Sequence, residues 1–191
     1  MYGYCSGQLY TYDVENRIAL VPQYPQFTQY AYAPGNKRVW RGAQDGNGNT
    51  TLDEVTFWSV SGQKLATYNL SAGRAAYQNN TWVLTLYALW GPSNVYFGGK
   101  LIGHNGDYSL LVTDRLGSIG KYYPWGQEKP SATTNGTEKF TGYFRDAKTG
   151  LDYADQRYHQ PGMGRFLTAD PYGNSAGPTD PGSWNRYAYV G

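Results

Sequence analysis

The chain has 191 residues, room for one domain or a short run of repeats. Charged residues make up 16% of it and net charge is +2, with 16 Lys and Arg so scattered that no run exceeds Lys37-Arg38. That excludes the clustered basic patch of a nucleic-acid interface. No stretch approaches the ~18 apolar residues of a membrane span, and Met1-Tyr2-Gly3-Tyr4-Cys5 lacks the basic-then-apolar order of a signal peptide.

What remains is a profile of strands and turns. Aromatic residues reach 17%, with 20 Tyr and 6 Trp beside 25 Gly and 10 Pro. Tyr and Trp suit a pleated, half-buried surface because each joins an apolar body to a polar tip. Gly, Pro, Asn and Asp supply the turns between.

In chain order, Leu9-Tyr10-Thr11-Tyr12 predicts a strand, Asp13-Val14-Glu15-Asn16 a turn, and residues 17–21 the returning strand. Lys37-Arg38-Val39-Trp40 ends at the polar stretch Asp45-Gly46-Asn47-Gly48-Asn49. Residues 54–60 alternate before Ser61-Gly62, and 63–70 form the return. Thr81-Trp82-Val83-Leu84-Thr85-Leu86-Tyr87 is β-branched and aromatic. Shorter runs follow at 95–97, 100–102 and 108–112. Strands at this spacing predict an all-β fold of repeated antiparallel hairpins. Helical periodicity is poor, with short helical turns expected only at 151–156 and 185–188. Residues 126–141, holding Pro130, Ser131, Thr133, Thr134, Asn135 and Gly136, read as a loop or linker.

Two sets of residues bear on function. Tyr10-Thr11-Tyr12-Asp13-Val14-Glu15-Asn16-Arg17 places Tyr10 and Tyr12 on one strand face. Asp13 can cap the turn, Arg17 can pair with it across the hairpin, and Asn16 suits a left-handed turn position. Weaker echoes start at Ser59 and at Thr113, the second including Asp114 and Gly117. The second set is Phe140-Thr141-Gly142-Tyr143-Phe144-Arg145-Asp146, Thr149-Gly150-Leu151, Tyr153, Arg157-Tyr158, Gly164-Arg165-Phe166-Leu167-Thr168-Ala169-Asp170-Pro171 and Asn185-Arg186-Tyr187-Ala188-Tyr189-Val190.

These strings resemble the Rhs/YD-repeat family. The first is similar to the Y-x-Y-D-x-x-G-R core of the YD repeat, with Asn16 in the Gly place, and the second to the RHS repeat-associated core domain. Residues 1–111 are accordingly expected to be YD-repeat-like hairpins, and 112–191 a core segment that is loop-rich and cut short at its C-terminal end. The resemblance implies a sheet that spirals into a hollow bacterial shell, secreted or at the cell surface. Its partners would be the rest of the parent shell and an enclosed C-terminal payload such as a toxin. The expected role is structural. The same resemblance implies an aspartyl autoprotease, with Asp170 at the implicated position and Asp180 as second carboxylate, since such chemistry needs two carboxyl groups sharing a proton. Relatives continue to a D-P-x-G segment beyond the tyrosine-rich ending, whereas this chain stops at Gly191, so self-cleavage is not expected of it alone. A third reading is a carbohydrate- or cell-surface-binding module, for which exposed Tyr and Trp would line a continuous outward strip. Strands at the chain ends expose edges open to self-association.

No cofactor or metal is expected. Asp45-Gly46-Asn47-Gly48-Asn49 begins like a calcium loop but has Thr50 and Thr56 where the EF-hand requires Gly and Glu. His104 and His159 share no ligand spacing with each other or with Cys5, whose lone thiol leaves the redox compartment open.

Overall fold

Short alternating runs punctuated by residues that tolerate left-handed backbone can fold only as hairpins, and the computed structural model is all-β. It describes residues 2–5, 8–78, 81–89, 91, 93–105, 110–130, 137–172, 177 and 179–189. Tyr108, Ser109, Val190 and the linker residues Ser131, Thr133, Thr134, Asn135 and Gly136 lie outside these, as does the Cys5 side chain.

The chain forms two compact units, residues 1–23 with 112–191, and residues 24–111.

In the first unit β1 (Tyr2–Cys5), β2 (Gln8–Tyr12) and β3 (Ile18–Gln23) form consecutive antiparallel pairs. Much later come β11 (Phe144–Arg145), β12 (Asp152–Ala154), β13 (Arg157–Gln160) and β14 (Arg165–Phe166), again ordered as in the chain. The second unit holds β4 (Gln26–Tyr32), β5 (Arg38–Gln44), β6 (Thr50–Trp58), β7 (Lys64–Gln78) and β8 (Thr81–Leu89), each paired with the next. The hairpin of β9 (Asn94–Phe97) and β10 (Lys100–His104) joins it through the Ala66–Ser93 bridge and the Tyr96 hydroxyl, which donates to the Lys64 carbonyl at 3.0 Å.

One turn design recurs, beginning at Asp13, Ala33, Asp45, Ser59, Asp114 and Tyr123. The first residue's N–H donates to the carbonyl four residues on, and its own carbonyl accepts from the N–H three residues on, at 2.8 to 3.2 Å. The fourth residue is always left-handed: Asn16, Asn36, Gly48, Gly62, Gly117 and Gly126 have φ between 60° and 86°. Only Gly, and less readily Asn, takes that conformation without a Cβ clash. This is the hairpin with a bulge at its left-handed residue, and register shifts at Tyr12, Tyr32, Gln44 and Trp58 mark the bulges. Where the turn starts with Asp or Ser, the side chain fixes it further. Asp13 Oδ1 accepts from the N–H of Glu15 and Arg17 at 3.0 and 2.9 Å, and Asp114 Oδ1 from those of Leu116 and Ser118, both at 2.8 Å.

Three local expectations need correction. Residues 151–156 are not a helical turn. Leu151, Asp152 and Tyr153 are buried, and ladder partners on β11 and β13 claim the backbone. At 185–188 the chain makes a turn bridged to Arg165, and the 3-10 turn comes earlier, at Pro181–Trp184. The expected linker ends inside the core. Glu138, Lys139 and Phe140 are buried, with Lys139 Nζ 2.5 Å from Glu128.

Candidate functional site

The tight β11–β14 ladder builds the site from four strands. Its register aligns Arg145 with Asp152, Asp152 with His159, and His159 with Phe166. Residues paired across a sheet share a face, so these four form one transverse row. The adjacent row pairs Phe144 with Tyr153 and Tyr153 with Tyr158, all buried. Both faces of this small sheet are therefore covered. Burial of both faces explains why such short strands stay ordered.

Electrostatics in the first row start from the Asp152 carboxylate, which is fully buried. Arg145 Nε donates to Asp152 Oδ1, and Arg145 Nη2 to Oδ2 at 3.0 Å and to the Gly126 carbonyl at 3.3 Å. A buried carboxylate must have such a partner, because an unpaired one costs several kcal/mol. His159 is also fully buried, its Nδ1 3.6 Å from Asp152 Oδ2. Neither ring nitrogen has a hydrogen bond. Aromatic rings surround it: Phe140 stacks at 5.7 Å, Tyr189 tilts at 5.1 Å, Phe166 meets it edge-on at 5.9 Å, and Tyr143 lies at 6.4 Å. Burial pushes the Tyr143 hydroxyl up from its ordinary value, and Tyr189 adds to the effect. Burial likewise pushes Tyr122 up to about 12, with the Glu128 charge reinforcing it.

Beyond β14 the chain reaches Asp170 and then returns to it. Phe166 N–H donates to the Tyr187 carbonyl at 2.8 Å, Asp170 N–H to the Arg186 carbonyl at 2.9 Å, and Tyr189 N–H to the Gly164 carbonyl at 3.2 Å. Arg186 Nη2 donates to the Asp170 carbonyl. The Asp170 carboxyl accepts from Tyr172 N–H at 2.9 Å, and its other oxygen faces Arg157 Nη2 at 3.5 Å. Arg157 lies over the Phe166 ring, 3.6 Å from its centroid. Burial pulls the Arg157 guanidinium down from its ordinary value, and the Asp170 charge opposes this.

The structure thus brings Asp170, Arg157 and Arg186 together. Asp180 stands apart. Its carboxyl accepts from Gly182 N–H at 3.1 Å and caps the 3-10 turn, and no hydrogen bond joins the two carboxyl groups. The other singled-out residues hold the frame. Tyr10 and Tyr158 are core, and the Tyr12 hydroxyl donates to the Leu167 carbonyl at 3.4 Å. Arg17 Nε donates to Asp13 Oδ2 at 2.7 Å. Asp114 and Gly117 make one turn, while Asp146, fully buried, and Gly150 make another. Gly164, at φ 60°, lies so close to the Trp125 indole that a Cβ would stand 2.9 Å from it. Arg165 sits over Tyr187. Of the aromatics, Tyr10, Tyr30, Tyr153 and Tyr158 are in the core, while Trp125, Trp184, Tyr172 and Tyr187 are exposed. Among the described residues no group of three His, Cys, Asp or Glu side chains could hold a metal ion, and no helix is long and apolar enough to cross a membrane.

Sequence reasoning passed over the Arg145–Asp152–His159 row and the Lys139–Glu128 pair. One signal could have found the row. A two-residue turn at Asp155-Gln156 aligns Asp152 with His159, and Asp155 does adopt φ 67°.

No family model matches the chain. It is 30% identical to toxin subunit YenC1 of Yersinia entomophaga over 207 aligned residues, 90% of this chain and 20% of that protein. It is 28% identical to the tRNA3(Ser)-specific nuclease WapA of Bacillus spizizenii, across 94% of this chain and 8% of that protein. Its fold is that of a stretch of TcdB2-TccC3 without the hypervariable C-terminal region, with a TM-score of 0.54 and 21% identity, covering 97% of this chain and 10% of that structure. The chain therefore spans a fifth or less of these proteins. Of these relatives in sequence, one is named a toxin subunit and the other a nuclease.

Proposed function

We infer that the chain is a wall segment of an Rhs/YD-repeat toxin shell, a structural element that encases or presents a C-terminal payload outside the producing cell. One observation carries this reading. The same bulged turn joins β2 to β3, β4 to β5, β5 to β6 and β6 to β7, so that these strands pair in chain order, in a chain whose fold matches part of the TcdB2-TccC3 structure. A sheet extended in one direction buries backbone polar groups in ladders and leaves its ends to pair with further strands of the same wall. The test is limited proteolysis of the protein carrying this chain with the segments flanking it in its gene. A downstream segment that survives protease levels which destroy it when expressed alone supports an enclosing wall. Equal digestion in both settings overturns it.

Asp170 supports a second reading, self-cleavage that releases the payload. Its carboxyl is held beside Arg157 at the neck formed with Arg186, which is a fixed and charged position for a carboxylate. Asp180 caps its own turn, so the second carboxyl that such a reaction needs is a different group. A denaturing gel of the extended protein beside its Asp170→Asn variant decides it. Cleavage in the parent and none in the variant supports the aspartyl role, and an intact parent removes it.

A further inference from the structure

We propose that the hairpin of residues 121–129 carries a binding site for an acidic oligosaccharide, with Trp125 as the platform for a sugar ring and Lys121 and Lys129 as the contacts for its anionic groups. The inference is separate from the wall reading, since a shell encloses its payload with or without this site. It rests on an indole laid flat on a glycine, open on its other face, beside two lysines set opposite each other.

Register sorts this hairpin into two faces. Tyr122 bridges Glu128, Lys129 N–H donates to the Lys121 carbonyl at 2.9 Å, and Tyr123 N–H donates to the Gln127 carbonyl at 2.8 Å. Lys121 therefore stands opposite Lys129, Tyr122 opposite Glu128, and Tyr123 opposite Gln127. Alternation puts the middle pair on one face and the outer pairs on the other. The middle pair is turned inward, with the Tyr122 ring 5.6 Å from Phe140 and Glu128 paired with buried Lys139. Lys121, Tyr123, Gln127 and Lys129 are exposed, and so is Trp125 at the turn between them.

The setting of Trp125 gives the platform. A Cβ at Gly164 would stand 2.9 Å from both Cδ2 and Cε3 of the indole and 3.4 Å from Cγ. An approach in the ring plane to the first two atoms would bring it nearer to Cγ than to either, so Gly164 lies against the ring face. Gly162 N–H donates to the Trp125 carbonyl at 2.8 Å and fixes the same turn. Trp125 is nonetheless 46% exposed, so the opposite face of the indole is open. The C–H groups on one face of a sugar ring fit the negatively polarised face of an indole. A ring already held in place loses little freedom when a ligand stacks on it.

Charge sets the class of sugar. The outward face of the hairpin holds two lysines and no carboxylate, because Glu128, its one acidic residue, is turned inward. Like charges directly opposite each other on a sheet face repel, and an anion bound between them removes that cost. Lys129 Nζ is 4.9 Å from the Tyr123 ring centroid. The Gln127 amide can both donate to and accept from sugar hydroxyls. Two residues of strand, about 6.6 Å, separate the lysine row from the Tyr123–Gln127 row. A saccharide with one ring on Trp125 thus brings an acidic group of a neighbouring ring to the lysines. Two lysines are too few to follow a nucleic-acid backbone, whose binding draws on many phosphate contacts.

The experiment is titration of the full 191-residue chain with a tetrasaccharide of galacturonic acid and with its methyl ester, read by tryptophan fluorescence and calorimetry. The ester keeps the rings and removes the charges, and it should bind about tenfold more weakly than the acid. Trp125→Ala should weaken binding of the acid by about tenfold or more, and Trp125→Phe should restore part of the loss. Lys121→Gln combined with Lys129→Gln should bring the acid down to the affinity of the ester. Those two positions are exposed, so this variant decides the matter even if Trp125→Ala does not fold. No saturation by the acid below about 1 mM overturns the site. Equal affinity for acid and ester, or an affinity that the double lysine variant leaves unchanged, overturns it as well. A thymidine tetranucleotide that binds as tightly and loses as much in each variant also overturns it, by showing a general anion patch.

Discussion

At single residues, the consequential feature is that charge is buried only where it is answered. Arg145 and Asp152 share two hydrogen bonds inside the first unit. Arg145→Met should cost about 3–5 kcal/mol, because it strands a buried carboxylate. Adding Asp152→Leu should recover most of that loss, and thermal melts of the three proteins check both statements. Turn carboxylates behave differently because they are exposed. The Asn49 side chain and backbone hold Asp45 below its ordinary value. At Asp114 a burial effect in the opposite sense is outweighed by bonds from Ser118, Leu116 and Gly117. A depressed carboxyl contributes stability that is full above its unfolded-state value and is lost as pH falls through the folded one. Both turns should therefore weaken only below about pH 4. Denaturant melts at acid pH should show a shallower pH slope for Asp114→Asn, whose amide oxygen can still accept the turn N–H groups.

At the level of elements, the recurring turn separates two costs of a side chain at a left-handed position. Gly48 has φ 83° and nothing within 4 Å of an added Cβ, while at Gly126, φ 77°, that Cβ would stand 2.7 Å from Phe140. Gly48→Ala should lose about 1–2 kcal/mol from backbone strain alone. Gly126→Ala should lose about 1–3 kcal/mol more from overpacking. Gly48→Asn should fall between wild type and Gly48→Ala, since Asn16 and Asn36 already occupy the same place in sister turns. Unfolding midpoints of the three variants give the ranking. These turns also show what a reader of the sequence could see. Asp13, Asn16 and Arg17 lie within five positions and follow local rules, so the first hairpin was legible, as was the all-β class. The turns at Ala33 and Tyr123 carry no acidic first residue and were passed over. Lys139 looked like linker because its partner, Glu128, is brought to it by tertiary packing that leaves no local period. The Arg157–Asp170 contact is hidden for the same reason, whereas Asp170 itself stood out by its motif.

Across the whole molecule, the tail matters more than its length implies. Residues 186–189 supply carbonyl acceptors to Phe166 and Asp170 and place Tyr189 against His159. Ending the chain before Arg186 should lower amide protection throughout β11–β14 and leave that of β4–β7 unchanged, which exchange on the truncated protein would measure. Connectivity adds one more consequence. Residues 24–111 have all of their unit's strands in one continuous stretch, so that unit can be complete while the remainder is still being synthesised. Residues 1–23 are different, because the groups they pack with lie at the far end of the chain, as in the Tyr12–Leu167 bond across 155 positions. The β2–β3 hairpin must wait for residues 112–191 before its unit can close. Within this stretch of chain it is the packing of residues 1–23, and not that of residues 24–111, that waits for residues 112–191, which leaves the earlier residues open for longer to chaperones, proteases and stray partners.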